Sequence, residues 1–380
     1  MDHVIHPDDE TYFLSGTEAI KLQNDNDTLE VLNRALLGSA SGDGVRVVSN
    51  NNSITNDGTI AGAGGPFAGV DFQNTSAGTL VNNADGTILG GTAVSISNSG
   101  KTVTNHGVID GFVSQGIFID ENVDSFSLTN DGHIFGRIEG IFDFGGPATI
   151  TNSGNGVIQS DWYGFELDGN SGNVTNGVHA TIGGSIYSIY THEFGSLFLT
   201  NLGTLNGDVL CTVPVSNNSI FNKGTINGNV IFAAGDATFT DAALGHVTGF
   251  IEGGTGSGIF VAGKAKERFS AGTGADTFVF NAVVDSPVGA KHDVVFNFSG
   301  AAGDQIDLHH ILAAGAHLVF IGTDTFAHYH SIHPGVVGMV RFNHGSHQLQ
   351  ATVDGDFSAP DLVVSLPGTA TFHAGELILV

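Results

Sequence analysis

The sequence predicts an all-β protein: a right-handed parallel β-helix, or solenoid, running on into a glycine-rich strand stack and a closing β domain. Three observations carry this. A nine-residue phrase built around an asparagine returns every 21–26 residues between positions 50 and 230. A second apolar phrase follows the first within several of these periods. From residue 253 a stricter nine-residue frame takes over, with Phe260, Phe269 and Phe278 in its eighth column. Fixed periods of this kind mark folds in which each unit buries its apolar face only against the next copy.

Residues 1–28 precede the first recognisable repeat and are expected to cap the stack. The opening "MDHVIHPDDETYF" has no basic region followed by an apolar core, so it does not resemble a signal peptide. No apolar run in the chain reaches the roughly 18 residues of a membrane span. The balance of 11 Lys+Arg against 38 Asp+Glu, a net charge of −27, repels phosphate backbones and argues against nucleic acid as a partner. A single cysteine, Cys211, excludes an internal disulfide framework and, within "VLCTV", reads as core.

Residues 29–233 form the solenoid of about nine coils. The phrase is "ITNDGTIAG" from Ile54, "VTNHGVIDG" from Val103, "LTNDGHIFG" from Leu128, "LTNLGTLNG" from Leu199 and "IFNKGTING" from Ile220. Looser copies begin at Leu80, Ile150 and Val174, and "VLNRALLG" reads as a degenerate first copy around Asn33. The second phrase is "GVDF" at 69, "GIFI" at 116, "GIFD" at 140 and "GFEL" at 164, so each coil holds at least two short strands. Strands about 4.8 Å apart bring the repeated asparagines into hydrogen-bonding distance in a column. The phrase resembles the passenger domains of large bacterial surface and secreted adhesins. That resemblance implies a long surface for carbohydrate, cell-surface components or self-association.

Residues 234–252 connect to three nonapeptides at 253–279. Their second column is glycine throughout (Gly254, Gly263, Gly272), but the sixth reads Gly258, Glu267, Asp276. The frame resembles the calcium-binding repeat of RTX proteins, G-G-x-G-x-D-x-U-x, with most of its carboxylates lost. In that family sixth-column carboxylates two repeats apart share an ion. Asp276 would then meet Gly258, and Glu267 would meet Asp285. The resemblance therefore implies Ca2+ held by Glu267, Asp276, Asp285 and Asp293, at one or two sites.

Residues 280–380 carry more specific motifs. "DTFVF" (276–280), Asp293, Val295 and Phe298, and then Asp304, Ile306, Asp307 and Leu308 follow the order found in the C-terminal domain of serralysin-type proteases. Asn297 and His309 depart from the family's Asp and Ser. "FIGTDTF", "VRFN", the acidic loop with Asp354, Asp356 and Asp361, and the terminal "ELILV" extend the likeness over about 253–380. In this family the region is the uncleaved address for a type I ABC exporter. Its carboxylates keep it open where calcium is scarce and let it close outside the cell.

Enzyme readings have little support in the residues. The serralysin zinc motif H-E-x-x-H is absent: His192-Glu193 is followed by "FGSLF". Polysaccharide-active β-helices need carboxylates beside a base or a cation on neighbouring coils. The best such group is Arg137, Glu139 and Asp143 in one coil with Asp161, Trp162, Tyr163 and Glu166 in the next, and Arg137 is expected to touch Asp161. "YGFEL" (163–167) is similar to a phrase of secreted alginate epimerases, without the histidine that should follow. The competing reading is a surface ion pair beside an aromatic. In "HYHSIH", alternation along a strand would put His328 and His330 on one face, where a transition metal could bind.

These readings converge on an extracellular protein, exported without an N-terminal signal, calcium-binding, and a non-catalytic adhesin or matrix-binding rod. The alternative is a lyase or epimerase with Arg137, Asp161, Tyr163 and Glu166 at its site.

Overall fold

The computed structural model describes residues 2–6, 12–14, 18–73, 76–214, 217–312 and 317–379. The expected N-terminal cap lies partly, and Val380 of the terminal motif wholly, outside the described residues. The chain divides into two compact units, Met1–Val213 and Pro214–Val380.

The first unit is a parallel β-solenoid with three strands per coil, one more than the two phrases disclosed. In the coil from Lys101 these are Lys101–Asn105, Val108–Gly111 and Ile117–Ile119. Each pairs in parallel with its equivalent one coil on, at Phe126–Asn130, His133–Gly136 and Glu139–Asp143. Alternation decides which side chains are buried. Val103, Leu128, Ile150 and Val174 stack inward in the first column, and Ile109, Ile134 and Ile158 in the second. The core is thus a set of aliphatic ladders, each residue packed on its own kind above and below.

From Asn52–Asn56 to Ser196–Asn201, the asparagine at the end of each first strand turns inward and is fully buried. Asn56 Nδ2 donates to Asn82 Oδ1 at 2.7 Å, Asn82 to Asn105 at 2.8 Å, and Asn105 to Asn130 at 2.7 Å. Asn130 donates to Asn152 at 2.7 Å, Asn152 to Asn176 at 3.0 Å, and Asn176 to Asn201 at 2.9 Å. Every amide donates toward the higher-numbered neighbour and also to turn carbonyls, so a buried polar column is satisfied rung by rung. The glycine after the turn makes room. A Cβ on Gly86 would stand 2.3 Å from Asn82 Oδ1 and 2.4 Å from the Asn56 carbonyl. Asn33 is not part of this column. Val31 is the residue opposite Asn56, and the Asn33 amide instead reaches Asp85 at 2.7 Å.

In the second unit the coils contract. Asn217–Asn222 pairs with Asp236–Asp241, and the column continues through Gly258–Val261, Thr277–Val279, Gln305–Asp307 and Leu377–Ile378. Facing it, Val230–Phe232, Ile251–Glu252, Arg268–Ser270, Asp293–Phe296 and Leu362–Ser365 form a second parallel column. The nonapeptides therefore alternate between two sheets, a roll of 18 residues per turn. Phe260 and Phe278 stack in register with centroids 5.4 Å apart, and Phe269 enters from the opposite sheet at 6.2 and 5.5 Å. All three are fully buried. An antiparallel hairpin, Gly338–Asn343 with Gln348–Thr352, packs onto the closing strands.

"HYHSIH" is helical, not extended. The helix Phe326–Ile332 begins at Thr325, whose hydroxyl accepts the His328 N–H at 3.2 Å. A helical turn sends residues two apart to different sides. His328 pairs with Asp324 at 2.7 Å, whereas His330 stacks on Phe357 at 3.9 Å. The two imidazoles do not share a site.

Candidate functional site

The third-strand column of the first unit positions the residues singled out for chemistry. In Tyr163–Leu167, Phe165 and Leu167 point into the core while Glu166 points out. Tyr163 sits opposite Glu139 of the previous coil and Tyr187 of the next, and Glu166 lies between Phe142 and Tyr190. The rings make a half-buried stack. Tyr163 and Tyr187 are 5.6 Å apart, Tyr187 and Tyr190 5.3 Å, and Tyr190 and His192 5.6 Å. Phe118, Phe142 and Phe144 continue the aromatic surface at spacings of 5.7 and 6.1 Å.

Carboxyls are set among these rings. Gln115 donates to Glu139 at 3.0 Å, and Glu139 in turn shares a hydrogen bond with Glu166. Burial, then the charges of Asp168 and Glu139, pushes Glu166 up to about 8, so at neutral pH it carries the proton of this pair. Burial also raises Glu139 and Asp168, and the latter faces His192 Nδ1 at 3.5 Å.

Tyr163 and Glu166 are thus brought together, but Arg137 and Asp161 are not part of the group. Both are exposed in turns, and no ion pair joins them among the described residues. Asp161 lines a separate cleft of about 500 Å³ with Gln159, Ser185 and Asn206. Tyr187, Tyr190, Asp168 and His192 escaped the sequence reading. Their signal was the period: one coil of 24 residues added to 163 and 166 arrives at 187 and 190.

The carboxylates of the second unit fall into two groups. Asp276 is used up by backbone, accepting Gly258 N–H on Oδ1 and Gly272 N–H on Oδ2, each at 2.8 Å. A Cβ on Gly258 would meet Asp276 Oδ1 at 2.8 Å and the Phe260 ring at 2.3 Å, so glycine there leaves room for that carboxylate and ring. Asp285 caps a 3₁₀ turn by accepting the N–H groups of Asn281 and Ala282.

Glu267 and Asp293 are different. Asp293 Oδ1 accepts the Glu267 N–H at 2.8 Å, while its Oδ2 has no donor. Neither oxygen of Glu267 has a donor, although the residue is 1% exposed. On its other side stands Asp241, opposite Asn222, whose amide it accepts at 2.7 Å. Asp241 Oδ2 is also without a donor. With all three ionised, four buried oxygens face only each other. A proton held between carboxyls, or a cation, must join them. Burial and the charges of Asp293 and Asp241 accordingly push Glu267 up to about 11, and burial moves Asp293 to about 8 and Asp241 to about 6. As a donor set, clustered hard oxygens suit calcium, which takes about six to eight. Among the described residues no set of three or more His, Cys, Asp or Glu side chains already surrounds a point in metal-ready geometry.

Residues 199–379 match the family model for the Peptidase M10 serralysin C-terminal domain. No curated protein matches the chain. The matched segment starts well before residue 253 and takes in the last solenoid strands as well as the nonapeptide roll. Domains of this kind bind calcium and accompany type I secretion. No helix among the described residues is long and apolar enough to cross a membrane. From its last asparagine phrases to the strand at Leu377–Ile378, the C-terminal part of this chain thus resembles the serralysin C-terminal domain of the RTX type.

Proposed function

We propose that the protein is an extracellular binding rod: a solenoid that presents adhesive surface, delivered by a type I ABC exporter through its serralysin-type domain. Calcium completes the fold outside the cell, with Glu267, Asp293 and Asp241 as its principal ligands. The observation that carries this is the line of buried carboxyl oxygens without donors inside a matched RTX domain. A cation there replaces a shared proton and removes like-charge repulsion, so ion binding contributes directly to folding. Asp276 and Asp285, engaged by backbone N–H groups, serve the turns instead.

The test has two arms. Co-expression with a type I exporter should place the full chain in the medium, and deletion of 253–380 should retain it in the cell. Titration of the purified chain with calcium should raise its melting temperature, and Glu267→Gln should remove most of that gain. Secretion of the deletion product, or a melting temperature indifferent to millimolar calcium, would refute the corresponding half. The lyase or epimerase reading receives no comparable support, because Arg137 and Asp161 stand apart from Tyr163 and Glu166.

A further inference from the structure

We propose that the outward face formed by the third strands between Gln115 and His192 is a binding site for a neutral polysaccharide chain. The inference rests on the reading of the first unit as a binding rod and names what it binds.

The argument begins with a departure from the repeat. Along one outward column, successive coils carry Asp71, Ser95, Phe118, Phe142, Glu166 and Tyr190. Ser95 shows that the coil needs no ring at this place. Replacing a small polar residue by Phe or Tyr on an outward strand leaves apolar surface partly in water, which does nothing to bury the core. The neighbouring column behaves alike. Thr92 donates to Gln115 at 3.1 Å and Gln115 to Glu139, after which Tyr163 and Tyr187 take over. In the coil of Tyr187 and Tyr190 both columns carry a ring, and with Tyr163 these rings lie with centroids 5.3–5.6 Å apart rather than filling the interior.

The chemistry of the stretch then selects the occupant. Tyr163, Tyr187 and Tyr190 make a partly exposed aromatic patch of the kind that pyranose rings pack against, and rungs about 4.8 Å apart extend it along the stacking direction to Phe142 and Phe118. Glu166 and Asp168 lie beside that row, with Glu139 buried beneath it, and their carboxyl oxygens offer acceptors. Sugar hydroxyls supply the donors. Arg137 is the single Lys or Arg between 115 and 192, and it sits exposed in a turn. A uronate or sulfated polymer would therefore meet Glu166 and Asp168 with no Lys or Arg among them and only His192, already facing Asp168, beside them, at a cost of several kcal/mol per misplaced contact. A neutral chain has no such penalty.

Affinity electrophoresis and calorimetry on the full chain test this, with hydroxyethyl cellulose, galactomannan and β-1,3-glucan as neutral probes. Alginate and chitosan serve as anionic and cationic ones. Tyr187→Thr and Tyr190→Ser are the informative variants, since Thr92 and Ser95 occupy the equivalent positions of these columns four coils earlier, where the coil accepts them. The expected result is retardation by at least one neutral polymer and none by alginate. Each variant should lose about tenfold in affinity with its melting temperature unchanged. Failure of all three neutral polymers, preference for alginate or chitosan, or full affinity in both variants would overturn the proposal. Export and calcium response, read on the same protein, report on the second unit. If they persist without glycan binding, this site alone is refuted.

Discussion

Asp143 is a carboxyl placed in an apolar ladder, and its replacement by asparagine gives a prediction with a definite pH signature. It lies opposite Ile119 and Leu167, is fully buried, and has one oxygen held by the Gly145 N–H at 3.0 Å and one without a donor. Burial moves its pKa from 3.8 up to about 7. Because the folded carboxyl holds its proton more tightly than the unfolded one, its contribution to stability is complete below pH 3.8. That contribution is lost as the pH rises to about 7. The interval of about three pH units corresponds to about 4 kcal/mol, or about 8–16 °C in melting temperature for a unit of this size. The amide introduced by Asp143→Asn cannot ionise, and its oxygen can still accept from Gly145. Its nitrogen lacks an acceptor, which costs about 1–3 kcal/mol at every pH and leaves the slope untouched. Calorimetric melts of wild type and Asp143→Asn from pH 4 to 8 should therefore start with the variant less stable. The two profiles should converge or cross toward pH 8. Parallel profiles would refute the argument that burial sets this carboxyl's proton affinity.

Three further outcomes follow from the same reasoning. Asn130→Ala leaves the Asn105 amide and the Asn152 carbonyl oxygen without their partner in a fully buried column, and should cost about 2–4 kcal/mol by chemical denaturation. Phe269→Ala empties the contact between Phe260 and Phe278. It should lower stability by about 3–5 kcal/mol, with loss of near-ultraviolet dichroism in the second unit. Glu267→Gln in the presence of a chelator should be more stable than wild type at pH 7 and similar near pH 4, because the wild-type residue must retain a proton that its unfolded form releases.

Much of the architecture was legible from single columns of the sequence. The asparagine period gave the coil, since a buried amide bonded to its copy one rung away and to nearby carbonyls is costly to replace without matching groups. The phenylalanines at 260, 269 and 278 disclosed the roll for the same reason. The second strand of each coil was not counted separately because the asparagine phrase runs straight through it: "ITNDGTIAG" covers the end of Asn52–Asn56 and all of Thr59–Ala61, while the second phrase is the third strand. Asn33 misled by spacing alone: Val31 holds the ladder position, and Arg34, with φ of 68°, turns the chain away. For the site, Glu267 came from the nonapeptide frame and Asp293 from the serralysin-type motif that follows it. Asp241 was invisible to it, because Asp241 arrives through the asparagine column, where aspartate replaces the amide. The histidines at 328 and 330 were misplaced because Thr325 starts a helix in a chain otherwise almost free of them.

The amides of the asparagine column all face the same way, and this makes the first unit extensible. A segment inserted between any two coils presents an acceptor to the rung before it and a donor to the rung after it, so the seam heals without a special residue. Duplication or loss of whole periods can lengthen or shorten the rod while both of its ends keep their own chemistry. The length of the solenoid thereby becomes a property that evolution can adjust one period at a time.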